Sequence, residues 1–257
     1  MIVDTHCHIH EATFPLDIKE VLKNAAAADV DKMICVGTSQ VSSAEAVLFA
    51  DRHDGVYASI GVHPHDTIEG WQSVLDMKTT PKVVAIGEIG LDYYYTHSPR
   101  DVQKQALREQ LQLAVDNDLP VIFHVRDAGA IEPGKSVWDD FWPIFDSFEG
   151  IRGELHSFTD TKENLQKGLD RGLYIGVNGI STFTKDVAQQ DMFASIPVDR
   201  LLFETDAPFL TPVPLRGKVN EPAFVRNVAL FHAEARNMTL DEIAAATTTN
   251  AHALFAI

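Results

Sequence analysis

The chain has 257 residues, 45% of them apolar, with 37 acidic against 21 basic side chains and a formal net charge of −16. That length suits one large α/β domain, and no apolar stretch approaches the roughly 20 residues of a membrane span. The charge argues against a broad electrostatic footprint on nucleic acid, though not against an enzyme that grips one strand end through metal ions.

Met1-Ile2-Val3 opens the chain as a short β-branched run, which predicts a buried strand, and "DTHCH" (4–8) follows at once. On a strand, alternation puts Asp4, His6 and His8 on one side and Cys7 on the other. Taken alone, two imidazoles so placed serve either a metal or a pair of hydrogen bonds. This start lacks a basic segment followed by an apolar one, so no secretory signal is expected. The only cysteines are Cys7 and Cys35, both in strand-like runs. They fit a reducing, cytoplasmic setting better than a disulfide framework.

Further apolar runs fall near 32–37, 56–62, 82–87, 120–124, 152–156, 173–177 and 200–204. Helical patterns fill most intervals, at 17–29, 42–52, 69–77, 100–117, 137–148, 162–170 and 185–194, and two more at 221–236 and 239–255 close the chain. Ser42 and Thr161 read as N-caps. Strands alternating with helices predict a (β/α)8 TIM barrel spanning 1–257 as a single domain. The rival, an open doubly wound sheet, would carry a Gly-rich phosphate loop after an early strand, and none is present.

In such a barrel the active site lies at the C-terminal ends of the strands. Those ends carry His6 and His8, "GVHPH" (61–65), "GEIGLD" (87–92), "HVRDA" (124–128), "HSF" (156–158), "NG" (178–179) and "ETDAP" (204–208). Any one of them could be a structural hydrogen-bonding group; together they predict a site. The candidate ligands are His6, His8, Glu88, His124, His156 and Asp206, more than one four- or five-coordinate ion needs. They suit two divalent ions, one on His6, His8 and Asp206 and one on His124 and His156, bridged by Glu88. Mixed imidazole and carboxylate ligation favours Zn²⁺ or Mn²⁺ over Mg²⁺.

Other polar residues divide between roles. Glu204 shares the parity of Asp206, and reads either as a general acid/base or as a hydrogen-bond acceptor behind the ligands. Asp4 has the same ambiguity. His63 and His65 either hold a phosphate or leaving group or shape the rim. Arg126, Arg216 and Lys218 are loop cations that either grip a phosphate or remain solvated. His10, His53, His97, His232 and His252 fall outside the strand-end pattern and read as surface or helix-packing residues.

The motifs "DTHCH", "GVHPH", "VVAIGEIGLDYYY", "LREQLQLA", "HVRDA", "IGVNG", "LLFETDAPFLTP" and "LRGKVNEP" occur in the order seen in the TatD family of metal-dependent hydrolases, which the chain resembles over essentially its whole length. The resemblance implies an amidohydrolase-like barrel and a two-metal phosphodiesterase, with deoxyribonuclease activity, often 3′→5′ on single strands. It places the family's ligands on the same six residues. Three features depart from the family pattern: Ser157 and Asp160 in "HSFTD", Val219 in "LRGKVNEP", and a long polar loop at 128–142. They bear on substrate preference and touch no proposed ligand.

The expected function is therefore metal-dependent hydrolysis of DNA, at single strands or strand ends, without a membrane or an obligate protein partner. An activated water would attack phosphorus in line, with Asp206 as proton acceptor and Glu88 and Glu204 beside it. The alternative is a C–N or lactone hydrolase on the same kind of barrel, since fold does not fix reaction. Such enzymes often bridge their ions with a modified lysine on strand four, where this chain has Glu88. A non-catalytic nucleic-acid-binding protein is opposed by the acidic balance and the full ligand set.

Overall fold

In the computed structural model, which describes residues 1–14, 16–77, 79–95, 97–129 and 136–257, eight parallel strands pair in chain order. They are β1 (Ile2–Cys7), β2 (Val30–Val36), β3 (Val56–Ile60), β4 (Val83–Asp92), β5 (Val121–Arg126), β6 (Gly153–Leu155), β7 (Tyr174–Val177) and β8 (Leu201–Phe203). The chain just past β8 returns to β1: Cys7 bridges Ala207, Asp206 N–H donates to the His6 carbonyl at 2.8 Å, and His8 N–H to the Ala207 carbonyl at 2.7 Å. These contacts nearly close the barrel and tie the first strand's histidines to the last strand's aspartate.

Parallel strands covered on both faces read as continuous apolar runs, and β1 and β4 are buried at every position. The covering helices are α1 (Ile18–Ala27), α2 (Gln40–Arg52), α3 (Gln72–Leu75), α4 (Arg100–Asp116), α5 (Trp138–Phe145), α6 (Lys162–Asp170), α7 (Ile180–Phe183), α8 (Val187–Ser195), α9 (Val225–Ala235) and α10 (Leu240–Phe255). Leu254 and Phe255 of α10 pack with Val3, Ile34, Val84, Ile122 and Leu202 of five strands, so the last helix covers the barrel's lower end. The upper end is left to the strand-end loops.

The barrel and its strand order match the sequence expectation, and several boundaries do not. Asp17, Thr161 and Asp186 cap α1, α6 and α8, and Thr239 forms a capping box with Glu242 on α10. Ser42 is not a cap: Ser39 Oγ accepts from Ser42 N–H at 3.1 Å, which starts the helix earlier. The expected helix at 69–77 shrinks to α3, because a 3₁₀ turn at Pro64–Glu69 precedes it. β4 runs five residues beyond the expected 87, so Glu88 and Asp92 lie on the strand itself. Of the polar loop at 128–142, residues 130–135 lie outside the described residues.

Candidate metal centre

The strand ends surround a cavity of about 740 Å³ lined by His8, His63, His65, Glu88, His124, His156 and Asp206, among others. Its floor is made by β1. His8 Nδ1 lies 3.0 Å from the Val36 carbonyl oxygen. A carbonyl only accepts, so Nδ1 carries the proton and Nε2 of the neutral ring presents its lone pair. That Nε2 lies 3.1 Å from His6 Nε2 and 3.2 Å from Asp206 Oδ1. His6 Nε2 is also 3.4 Å from Glu88 Oε2 and 3.7 Å from Asp206 Oδ1. Two imidazole nitrogens and two carboxylate oxygens thus face one point from β1, β4 and the end of β8.

The other oxygen of Glu88 faces the opposite side. Its Oε1 lies 2.8 Å from His124 Nδ1, 3.6 Å from His63 Nε2 and 3.7 Å from His156 Nε2. His156 Nδ1 points at Glu204, 3.0 Å away, and again leaves Nε2 as the free nitrogen. Its ring stacks on His6 with centroids 3.5 Å apart. Ligand atoms of His156 group with those of His6 and Asp206, and ligand atoms of His124 group with Glu88 and His63. Among the described residues, Glu88 is the carboxylate that groups both with His6 and His8 and with His63 and His124.

Two carboxylates, Glu88 and Asp206, set the charge of this floor. Burial disfavours ionised Glu88, but His156, His63, His124 and His6 hold its carboxyl well below the usual range. Asp206 is likewise held low against burial, first by His8. Against burial, the carboxylates raise His8, His124 and His156, the last pushed up to about 10 by Glu204 and then Glu88, whereas burial carries His6 and His63 down. Buried carboxylates facing imidazole lone pairs call for positive charge, and a divalent cation supplies it as protons do. The donor set therefore fits a metal.

His63 is built differently. Its Nδ1 accepts from His65 N–H at 3.1 Å, so the neutral ring carries its proton on Nε2 and presents a donor to the cavity. Glu204 lies fully buried behind His156; it also accepts from Ser157 N–H at 2.8 Å and Asn178 Nδ2 at 3.1 Å. It orients a histidine and does not line the cavity. Gly176 permits this, since a Cβ there would sit 2.4 Å from Glu204 Oε2. Asp4 accepts from Thr205 N–H at 2.8 Å and from its hydroxyl at 2.6 Å, which locks β1 to β8 beneath the site.

Arg126 lies over the Tyr94 and Tyr95 rings at the cavity edge. Arg216 does not reach the cavity: its guanidinium covers Phe183 at 3.9 Å and donates to the Thr211 carbonyl at 2.6 Å. Lys218 is exposed away from the lining. Cys7 points outward, its thiol on the Ile34 carbonyl. His10 packs on α2 through Ser42, as a helix-packing histidine should. His97 comes closer than its place in the sequence suggests, with its ring stacked on Tyr95 at 5.6 Å.

Sequence reasoning missed Asp92. It is buried, its Oδ1 accepts from Tyr94 and Tyr95 N–H, and its Oδ2 meets His65 and His124. The signal was present: Asp92 has the parity of Glu88, four residues on in the same strand. Asn220 of "LRGKVNEP" was read only as motif; it is fully buried, and its Nδ2 donates to the Thr205 carbonyl at 2.8 Å, fixing the loop after β8.

The sequence profile of the family described as TatD related DNase matches residues 3–256. The chain is 38% identical to the uncharacterized metal-dependent hydrolase YabD of Bacillus subtilis, with all of both chains covered. It is 34% identical to the 3′-5′ ssDNA/RNA exonuclease TatD of Citrobacter rodentium, covering 99% of this chain and 97% of that one. Among solved structures, the TatD homolog YjjV of Escherichia coli superposes with a TM-score of 0.88 at 30% identity, covering 100% of this chain and 98% of that one.

Proposed function

We propose that this chain, which belongs to the TatD-related DNase family of metal-dependent hydrolases, cleaves phosphodiester bonds of nucleic acid and removes nucleotides from single-stranded ends. The observation that carries the reading is Glu88, whose two oxygens face separate imidazole groups across the cavity floor. We assign two divalent ions to this set, one to His6, His8 and Asp206 and the other to His124 and His156, with Glu88 shared; the reach of Glu88 to His6, His124 and His156 supports this, and His156 also stands within a ligand's reach of His6 and Asp206. Zinc or manganese suits these ligands better than magnesium. Divalent ions so held would acidify a water and draw charge from the phosphoryl oxygens.

The chain's own groups supply the rest. Asp206 stays ionised in the floor and takes the proton of the attacking water at a carboxylate oxygen. As the water oxygen bonds to phosphorus, the bond from phosphorus to the leaving sugar oxygen breaks on the far side. His63 Nε2–H donates to that leaving oxygen, which then takes a proton from solvent. Arg126, at the cavity edge, holds a phosphate. Glu204 and Asp92 keep His156 and His124 oriented without touching the reacting atoms. The 3′→5′ polarity in the name of the Citrobacter relative is the polarity proposed here. We place the whole reaction in a single barrel domain, and the two buried free cysteines support a cytoplasmic setting.

The experiment is hydrolysis of end-labelled single-stranded DNA, with and without chelator, beside a panel of amides and lactones. Release of mononucleotides that chelator stops is the expected result. Turnover of amides or lactones, with DNA untouched, would select the C–N or lactone hydrolase instead.

A further inference from the structure

Two aromatic walls face each other across the mouth of the cavity. Phe14, after β1, packs edge-on against Phe209, after β8, with centroids 5.0 Å apart, and Phe209 is 47% exposed. On the other wall Tyr95, after β4, is 40% exposed, and Arg126 at the end of β5 lies 5.0 Å over its ring. Phe14, Phe209, Tyr95 and Arg126 all line the same cavity as Glu88 and Asp206. In a sheet that runs β1 to β8 in order and returns to β1, the β8–β1 junction stands opposite the β4–β5 pair. The charged floor therefore lies between two partly exposed rings, Phe209 on one side and Tyr95 on the other.

Beyond the contacts with Phe14 on one wall and with Arg126 and His97 on the other, Phe209 and Tyr95 still leave part of their ring surface in water, which has a cost. A phosphodiester on the floor carries one nucleoside on each side, and each base has an apolar face. From this we infer that Phe209 and Tyr95 are stacking platforms for the two nucleobases flanking the scissile phosphate. The inference rests on the reading of the floor as a phosphodiesterase site. Stacking tolerates any base, because every base offers a π-face. It does not tolerate a duplex, whose internal bases are already stacked on both sides. The walls thus select unpaired nucleic acid by its bases, while the floor selects it by its phosphate.

The test is fluorescence anisotropy of the intact, metal-loaded protein with a labelled thymidine oligomer whose terminal linkages are phosphorothioates, slow to cleave. A matched oligomer carries abasic tetrahydrofuran residues at its last two positions. The wild type should bind the abasic oligomer about tenfold more weakly or worse. Phe209→Ala and Tyr95→Ala should each weaken the base-bearing oligomer about tenfold and shrink the difference between the two oligomers, and Phe209→Trp and Tyr95→Phe should restore it. Equal binding of both oligomers by the wild type, or alanine variants with unchanged preference, would overturn the inference. Failure to hydrolyse any phosphodiester, with the base preference intact, would instead remove the function proposed above and leave the platforms standing.

Discussion

Asp92 joins His124 to His65: its Oδ2 lies 3.0 Å from His124 Nε2 and 2.9 Å from His65 Nε2. With one nitrogen of His124 held by this carboxylate, the other is left facing Glu88. The same Asp92 carboxylate accepts from the backbone of Tyr94 and Tyr95, so one buried group fixes both a proposed ligand and the start of the aromatic loop.

Asp92→Asn keeps the shape of that group and removes its charge. It should lower metal affinity and activity by about 10- to 100-fold, the usual effect of losing an acceptor behind a ligating histidine. Equilibrium dialysis against the metal, with circular dichroism as the check on folding, measures it. Unchanged affinity would assign Asp92 to the loop alone.

Glu88→Gln should act more severely, because Glu88 is the residue shared by both imidazole groups. Turnover should fall by more than about 100-fold, beyond the upper end for a residue behind the ligands. Bound metal should fall with it. A variant that kept its full metal content and activity would move the bridge to another residue.

The barrel was legible because its strands are short apolar runs at regular spacing, and the floor was legible because alternation put His6 and His8 on one side of β1. What escaped followed from strand length. The apolar run expected for strand four stopped at 87, so Asp92 stood only as the last letter of the "GEIGLD" strand end, although β4 reaches it. As a loop cation Arg216 was equally open to gripping a phosphate or staying solvated, and the sequence cannot register the Phe183 ring that its guanidinium covers. Parity left Glu204 either a general acid/base or an acceptor behind the ligands, and in the fold it accepts from Ser157 N–H and faces His156 Nδ1, with both residues between it and the cavity.

Glu154 of β6 is fully buried, and its oxygens make no well-formed hydrogen bond among the described residues, since the neighbouring Thr5 hydroxyl donates to the Phe203 carbonyl. Burial, and then the charge of Glu204, push its carboxyl well above the usual range. Replacing an unpartnered buried polar group by an apolar one of similar size removes a desolvation cost of about 1–3 kcal/mol. Glu154→Leu should therefore raise the melting temperature by several degrees. A lower melting temperature together with lost metal would show that Glu154 supports His6, whose Nδ1 is also unpartnered.

His232 gives the fold an acid sensitivity away from the metal floor. It is a buried residue of α9 with Nε2 3.0 Å from Ser181 Oγ, and burial, then Arg236, pull it down to about 3. The unfolded chain takes up this proton below about pH 6.5 and the folded chain does not. Its contribution is present above that pH and is lost at up to about 1.4 kcal/mol per pH unit as pH falls toward 3. Urea melts at pH 7, 5.5 and 4.5 should show a shallower decline for His232→Gln than for the wild type. Parallel declines would mean that His232 titrates normally in the fold.

The central claim is a metal-dependent phosphodiesterase floor organised around Glu88. Its most direct test strips the protein with chelator, adds back zinc or manganese in measured equivalents, and follows release of nucleotides from end-labelled single-stranded DNA. The stripped protein should be inactive, with activity returning in proportion to added metal and reaching a plateau near two equivalents. Full activity in metal-free protein, or metal saturation without any cleavage of DNA, would contradict it.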